Sequence, residues 1–334
     1  MFIVHNYSLA VILCFITMLC WGSWGNTQKL AARSWRYELF YWDYIIGILL
    51  FSLALGFTLG SIGSEGRSFL SDLKQVNGRN FWSAFGGGVI FNASNILLAA
   101  AISISGMSVA FPLGVGLALV LGVFINYFTA PKGDPWLLFI GVFAIVIAII
   151  FNGVASGKMK SGDRSKDNKG LWIAISAGIL MSLFYRLVAS SMDLAHLESP
   201  GAGLVTPYTA FFIFTLGIVA SNFIFNTLVM KRPFTGSPVS YRDYFGGSFS
   251  THMVGVLGGL VWGLGTSLSY IAAGKAGAAI SYGLGQGATM VAALWGVFVW
   301  KEFRGATKNI NQLLALMFVL FTTGLVLIIF SGAN

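Results

Sequence analysis

Hydrophobic residues in this chain run in long, nearly unbroken blocks of similar length rather than alternating with polar ones. Ten stretches, at about 7–29, 40–60, 81–104, 107–129, 136–154, 171–191, 204–229, 253–274, 277–299 and 311–331, carry almost no charge. A helix rises about 1.5 Å per residue, so about 20 apolar residues cross the hydrocarbon of a bilayer. Each block predicts one spanning helix, which keeps its backbone hydrogen bonds within itself. The expected fold class is an all-α membrane protein of ten transmembrane helices, numbered here as spans 1 to 10. The longest connections fall at 61–80, 155–170 and 231–252.

Two of the blocks repeat. At an offset of 171 residues, Gly87-Gly88-Val89-Ile90-Phe91 returns as Gly258-Gly259-Leu260-Val261-Trp262. Gly106, Leu113, Gly114 and Gly116 return as Gly277, Leu284, Gly285 and Gly287. The row Ala84, Gly88, Asn92 becomes Gly255, Gly259, Gly263, small residues on one helix face that let another helix approach closely. Five spans precede the basic stretch 156–170 and five follow it. An odd number turns the second half over in the membrane, which makes the duplication an inverted repeat. The expected organisation is a first five-helix repeat at 1–155, a basic linker at 156–170 and a second five-helix repeat at 171–334. An internal duplication of this kind points to transport by alternating access.

Composition agrees with a lipid solvent. The 334 residues are 56% hydrophobic and 9% charged, where a soluble domain carries about a quarter. The first block has no basic leading segment and no small-residue cleavage site, so it is expected to remain a span. Cys14 and Cys20 lie six apart in it and cannot bridge.

The net charge of +9 is a matter of topology. Fourteen of the 20 Lys and Arg residues flank the loops after spans 1, 5, 7 and 9. Positive loops stay in the cytoplasm, so the expectation is a multi-pass plasma (inner) membrane protein with both termini outside. Nucleic acid is thereby excluded as a partner.

Enzyme signatures are missing from the sequence. His5, His196 and His252 are scattered, with no acid or cysteine at ligand spacing, and there is no nucleophile elbow or phosphate-binding loop. No metal or other cofactor is expected. His252 and Lys275 are read as solvated, and Trp35, Tyr37, Tyr41 and Trp42 as an interfacial aromatic belt.

Polar groups within spans are costly unless paired or facing a wet cavity, so each is a candidate. Span 1 offers Trp21, Trp24 and Gln28 on one face. Span 3 offers Asn92 and Asn95, and span 4 offers Asn126. Span 8 offers Trp262 and Thr266, and span 9 offers Tyr282 and Gln286, four apart. Arg186 in span 6 is a candidate donor to a substrate oxygen. Asp43 and Arg186 are the candidates for proton coupling or gating. Aromatic planes beside uncharged hydrogen-bonding groups suit a small neutral polar solute, either a polyhydroxylated ring or an amide-rich one.

Short islands add a resemblance. Gly22-Ser23-Trp24, Tyr41-Trp42-Asp43-Tyr44, Gly87-Gly88 with Asn95, Gly106-Met107-Ser108-Val109, Gly122, Asn126-Tyr127-Phe128, Trp295-Gly296-Val297 and Glu302-Phe303-Arg304 keep their order along the chain. In these the chain resembles the ureide permease family and the related glucose/ribose and rhamnose porters of the drug/metabolite transporter superfamily. The resemblance implies the ten-span 5+5 architecture. It also implies import of a small polar solute. The plant permeases carry a phosphate-loop-like stretch in the linker and an acid in span 4. This linker has no Gly-Lys-Ser or Gly-Lys-Thr, and Phe111 stands in the place of the acid.

The reading is therefore a secondary active importer. A monosaccharide of the ribose, glucose or rhamnose type is the first expectation, taken up with protons. A ureide such as allantoin, or a nucleobase, is the second, and export of a drug or metabolite the third. The expected partners are the solute, a proton or sodium ion, membrane lipid and, in the case of self-association, a second copy forming a homodimer. Two halves would rock about a cavity lined by spans 1, 3, 4, 6, 8 and 9, with glycine seams permitting the movement.

Overall fold

The computed structural model describes residues 1–32, 34–159 and 164–333. Ten of its helices are long and apolar enough to cross a membrane. They are Tyr7–Ala31, Tyr37–Phe57, Gly78–Ser105, Val109–Thr129, Pro135–Met159, Asn168–Ala189, Pro207–Lys231, Phe249–Ala276, Ala278–Val299 and Lys308–Ser331. Among the described residues the β pairing is one isolated bridge, Met192 to Val205.

Spans 3 and 8 begin three to four residues before their apolar blocks, and polar caps mark the starts of spans 1, 3 and 8. Asn6, Asn77 and Ser248 each accept a backbone N–H from the first turn of spans 1, 3 and 8. Two short helices, Phe69–Gln75 and Tyr241–Phe245, lie in connections read as irregular. The second is closed by a reciprocal cap between Ser240 and Asp243. The stretch read as a linker is largely helical. One helix continues to Met159 and the next begins at Arg164, while residues 160–163 lie outside the described residues.

Spans 3 and 4, and spans 8 and 9, form tight hairpins that turn at Gly106 and Gly277. These two glycines have φ of 81° and 83°, the left-handed region that a side chain resists. They are also positions that the 171-residue offset relates.

Packing sorts the spans into two bodies. Span 1 packs on span 8, and span 8 on span 2. Span 6 packs on span 3, and span 3 on span 7. Span 4 leans on span 6, span 9 packs on both span 1 and span 4, and spans 5 and 10 pair with each other. Each body draws on both halves of the chain. Glycines hold the seams together. A Cβ on Gly88 would run into the Phe214 carbonyl, and one on Gly259 into the Tyr44 carbonyl. Gly217 meets the Phe85 carbonyl as Gly47 meets that of Val256. At these seams the backbones touch directly.

Both termini lie on one face of the bundle. The Tyr7 hydroxyl donates to the Ile329 carbonyl at 2.6 Å, and the Asp134 amide to that of Ser331 at 2.6 Å. The basic loops occupy the opposite face.

Candidate functional site

Between the two bodies, near mid-depth, lies a cavity. Trp21, Trp24, Trp262, Gln286 and Ala288 line it from spans 1, 8 and 9. Phe91, Asn95, Leu98, Phe111, Val115, Met181 and Phe184 line it from spans 3, 4 and 6. No charged side chain is among them.

The aromatic walls are packed on one another. Trp21 and Trp262 are nearly parallel, with ring centroids 6.3 Å apart, and Phe91 stacks on Trp262 at 4.4 Å. Trp24 sits 4.9 Å from Tyr44 and 6.3 Å from Phe111. Two carboxamides interrupt this surface. Asn95 is held by its Nδ2, which donates to the Tyr41 hydroxyl at 3.2 Å. Gln286 ends the first segment of a broken span 9. Helix Ala278–Gln286 stops at Gly287, resumes at Ala288 and widens to π-type turns over Trp295–Val299. Broken helices and π-turns in a membrane bundle commonly mark a solute site. On the facing body, Pro112 lies within the first turns of span 4 next to Phe111, where it removes one backbone donor.

The cavity is tight, with about 20 Å³ of free space. That is room for about one water, so any larger solute requires the bodies to part.

Above the cavity, towards the face with the termini, a hydroxyl cluster joins four spans. The Tyr185 hydroxyl lies 3.0 Å from Ser269 Oγ and 3.3 Å from Ser281 Oγ, and Ser281 donates to the Ser269 carbonyl at 2.7 Å. Cys14 Sγ lies 3.6 Å from Ser281 Oγ. Towards the basic face the structure opens instead into a vestibule of about 530 Å³.

Of the residues expected at the site, Trp21, Trp24, Asn95, Trp262 and Gln286 meet in the cavity. The others have different places. Thr266 stands behind the wall, where its Oγ1 accepts the Trp21 indole N–H at 3.0 Å and donates to the Trp262 carbonyl. The Tyr282 hydroxyl is 3.2 Å from the carbonyls of Ala118 and Met181, which ties spans 4, 6 and 9 together beneath the surface. Asn92 donates to Ser221 Oγ at 2.9 Å across the span 3–7 seam. Asn126 donates to the Gly122 carbonyl of its own helix at 2.8 Å. Gln28 lies below the cavity in the vestibule. Arg186 is exposed on the outside of the bundle, within a turn of the end of span 6.

Two other expectations change. Trp35, Tyr37, Tyr41 and Trp42 do not form an interfacial belt. All four are buried within the protein, where Tyr41 holds Asn95. His252 is not solvated either. Its Nδ1 lies 2.8 Å from Asp43 Oδ1, and Asp43 also accepts from Tyr244 at 2.7 Å and from the Trp35 indole at 3.2 Å. Burial, and then the bond to Asp43, push the Tyr244 hydroxyl well above its ordinary pKa, which keeps it a donor. No short motif could have announced this cluster, because its members are far apart in the chain. The apolar half of the cavity wall, Met181 and Phe184 included, was equally silent in the sequence.

Ten spans around a tight, uncharged, aromatic chamber with a vestibule on one side describe a multi-pass membrane transporter rather than an enzyme. A ureide permease family model matches residues 40–169 and 159–331, and the chain belongs to the ureide permease family. It is similar to Ureide permease 1 of Arabidopsis thaliana, with 24% identity over the full length of both chains. Ureide permease 5 of Arabidopsis thaliana is 25% identical, covering 100% of this chain and 96% of that one. Probable ureide permease A3 of Vigna unguiculata is 24% identical, covering 92% and 99%. A crystal structure 14% identical to this chain superposes with a TM-score of 0.61 over 96% of each, a likeness of fold alone.

Proposed function

We propose that this protein imports a small neutral ureide across the plasma (inner) membrane by alternating access. One observation carries the reading. Asn95 and Gln286 enter a single uncharged chamber whose remaining walls are aromatic planes and apolar side chains. A carboxamide offers both N–H and C=O, the complement of a urea group, and a flat heterocycle stacks between indole and phenyl faces. A charged solute would find no counter-ion there. The relatives, named as ureide permeases, favour this solute over the monosaccharide expected first.

The mechanism extends the same reading. The 5+5 inverted repeat is supported by the paired seams at Gly88 and Gly259 and by the matching turns at Gly106 and Gly277. Positive loops in the cytoplasm put both termini outside, so the vestibule faces inward and the Tyr185 cluster closes the outer side. Parting of the bodies at that cluster would admit solute to the chamber, and parting below Trp24 would release it to the vestibule. A proton is the proposed coupling ion, with Asp43 as a gate residue at the inner face. The drug/metabolite transporter arrangement belongs to the same proposal.

The test is uptake into proteoliposomes of labelled allantoin, ribose, glucose and rhamnose, with and without imposed proton and sodium gradients. Allantoin uptake driven by the proton gradient is expected, and Asn95→Ala or Gln286→Ala abolishes it while protein remains in the membrane. Sugar uptake without allantoin uptake would overturn the solute assignment.

A further inference from the structure

The vestibule is larger than the chamber above it, and its lining has polar atoms that no contact among the described residues uses. It is bounded by the end of span 1, the start of span 2, the hairpin of spans 3 and 4, the loop at Thr235 to Ser237 and Glu302 after span 9. Arg36 serves this frame. It is paired with Glu38 and donates to the Thr235 and Ser237 carbonyls, so it closes one wall rather than awaiting a ligand.

Gln28 and Glu302 are different. Gln28 is 4% exposed, and its Nε2 donates to the Ala99 carbonyl at 3.1 Å, which fixes the amide. Its Oε1 is buried and has no donor among the described residues. Glu302 gives Oε1 to Lys29 Nζ at 2.5 Å, and its buried Oε2 likewise has no donor among the described residues. Lys29 is itself steadied over the Trp300 ring, 4.4 Å from its centroid. The lining of the vestibule therefore includes two fixed acceptors without donors among the described residues, beside one ammonium.

Buried acceptors without donors are unfavourable, and a ligand rich in N–H groups relieves them. A urea group offers such N–H donors together with one carbonyl. We propose that the vestibule is a second ureide-binding site, with Gln28 Oε1 and Glu302 Oε2 taking solute N–H groups and Lys29 facing the solute carbonyl. The proposal rests on the ureide reading above and gives it a direction. Solute leaving the uncharged chamber passes to a weaker, hydrated site before release, and Gln28 stands one helical turn below Trp24 to receive it.

The experiment is equilibrium binding of labelled allantoin to the purified full-length protein in detergent. Two classes of site are expected, a tighter one in the chamber and a weaker one in the vestibule. Glu302→Gln and Gln28→Met should each weaken the second class by about tenfold or more and leave the first unchanged, which also reports that the variants fold. Asn95→Ala should do the converse. A single class, lost in Asn95→Ala and untouched by Glu302→Gln, overturns the vestibular site and leaves the ureide reading standing. Displacement of the weaker class by sodium at constant ionic strength overturns it in favour of a cation site. Absence of any allantoin binding to the wild-type protein overturns both.

Discussion

Asp43 and His252 meet at 2.8 Å on the basic face although 209 positions separate them in the chain. The contact joins the start of span 2 to the start of span 8, and Tyr244 and Trp35 complete it from the intervening loops. A carboxylate serving three donors is a single unit, so removing its acceptor character strands all three partners. Asp43→Asn is expected to cut the uptake rate about tenfold or more, and His252→Ala to cut it less. Because both act on one network, the double variant should be no slower than Asp43→Asn alone. Uptake normalised to protein in the membrane measures this, and effects that multiply would show the two residues to be independent.

The glycine seams make a prediction about stability. A methyl group at Gly88 or Gly259 has only a carbonyl oxygen of the facing helix to occupy, so the pair must separate. Gly88→Ala and Gly259→Ala should each destabilise the protein by about 1–3 kcal/mol, the usual cost of overpacking. Gly86→Ala, where a Cβ would meet nothing within 4 Å, is the control. Thermal unfolding in detergent separates them, and equal midpoints for all three would refute the seam argument.

Thr266 is expected to act through Trp21. Thr266→Val keeps the shape but removes the acceptor of the indole N–H, and the ring loses its fixed plane against Trp262. KM for uptake should rise about fivefold, the worth of one neutral hydrogen bond, with kcat little changed. Thr266→Ser should restore the wild-type value. A KM that does not change in Thr266→Val would show that Trp21 is held by packing alone.

On the terminal face, Asp193 carries a pH dependence. Burial raises its carboxyl pKa, but the Gly201 amide, the His196 side chain and the His196 amide outweigh that and hold it below the usual range. A depressed carboxylate stabilises the fold above its unfolded pKa, and the contribution fades as pH falls through the folded value. The loop between spans 6 and 7 should therefore loosen below about pH 4. Asp193→Asn should start less stable and lose less on acidification, as thermal midpoints across that range would show. Parallel curves for the two proteins would remove Asp193 from the account.

The spans were legible because twenty apolar residues in a row have few other uses. The helices of 61–80 and 231–252 were not, since five- and seven-residue elements leave no periodicity to read. In the site, Trp24, Asn95 and Gln286 stood out because an amide or indole deep in a span demands a reason. Asn92 and Asn126 sent the same signal for a different cause, the one lacing two helices and the other bonding its own backbone. Sequence spacing cannot tell these cases apart, because the facing helix decides them. Gln28 shares a helix face with Trp24, yet a single turn carries it out of the chamber and into the vestibule.

Each packed body takes helices from both halves of the chain, so the two halves are interleaved rather than set side by side. Span 3 has its glycine groove filled by span 7, and span 8 has its own filled by span 2. Made separately, either half would expose an unfilled groove and lack part of both walls of the chamber. The two halves of the chain thus complete each other, each filling a glycine groove that the other presents.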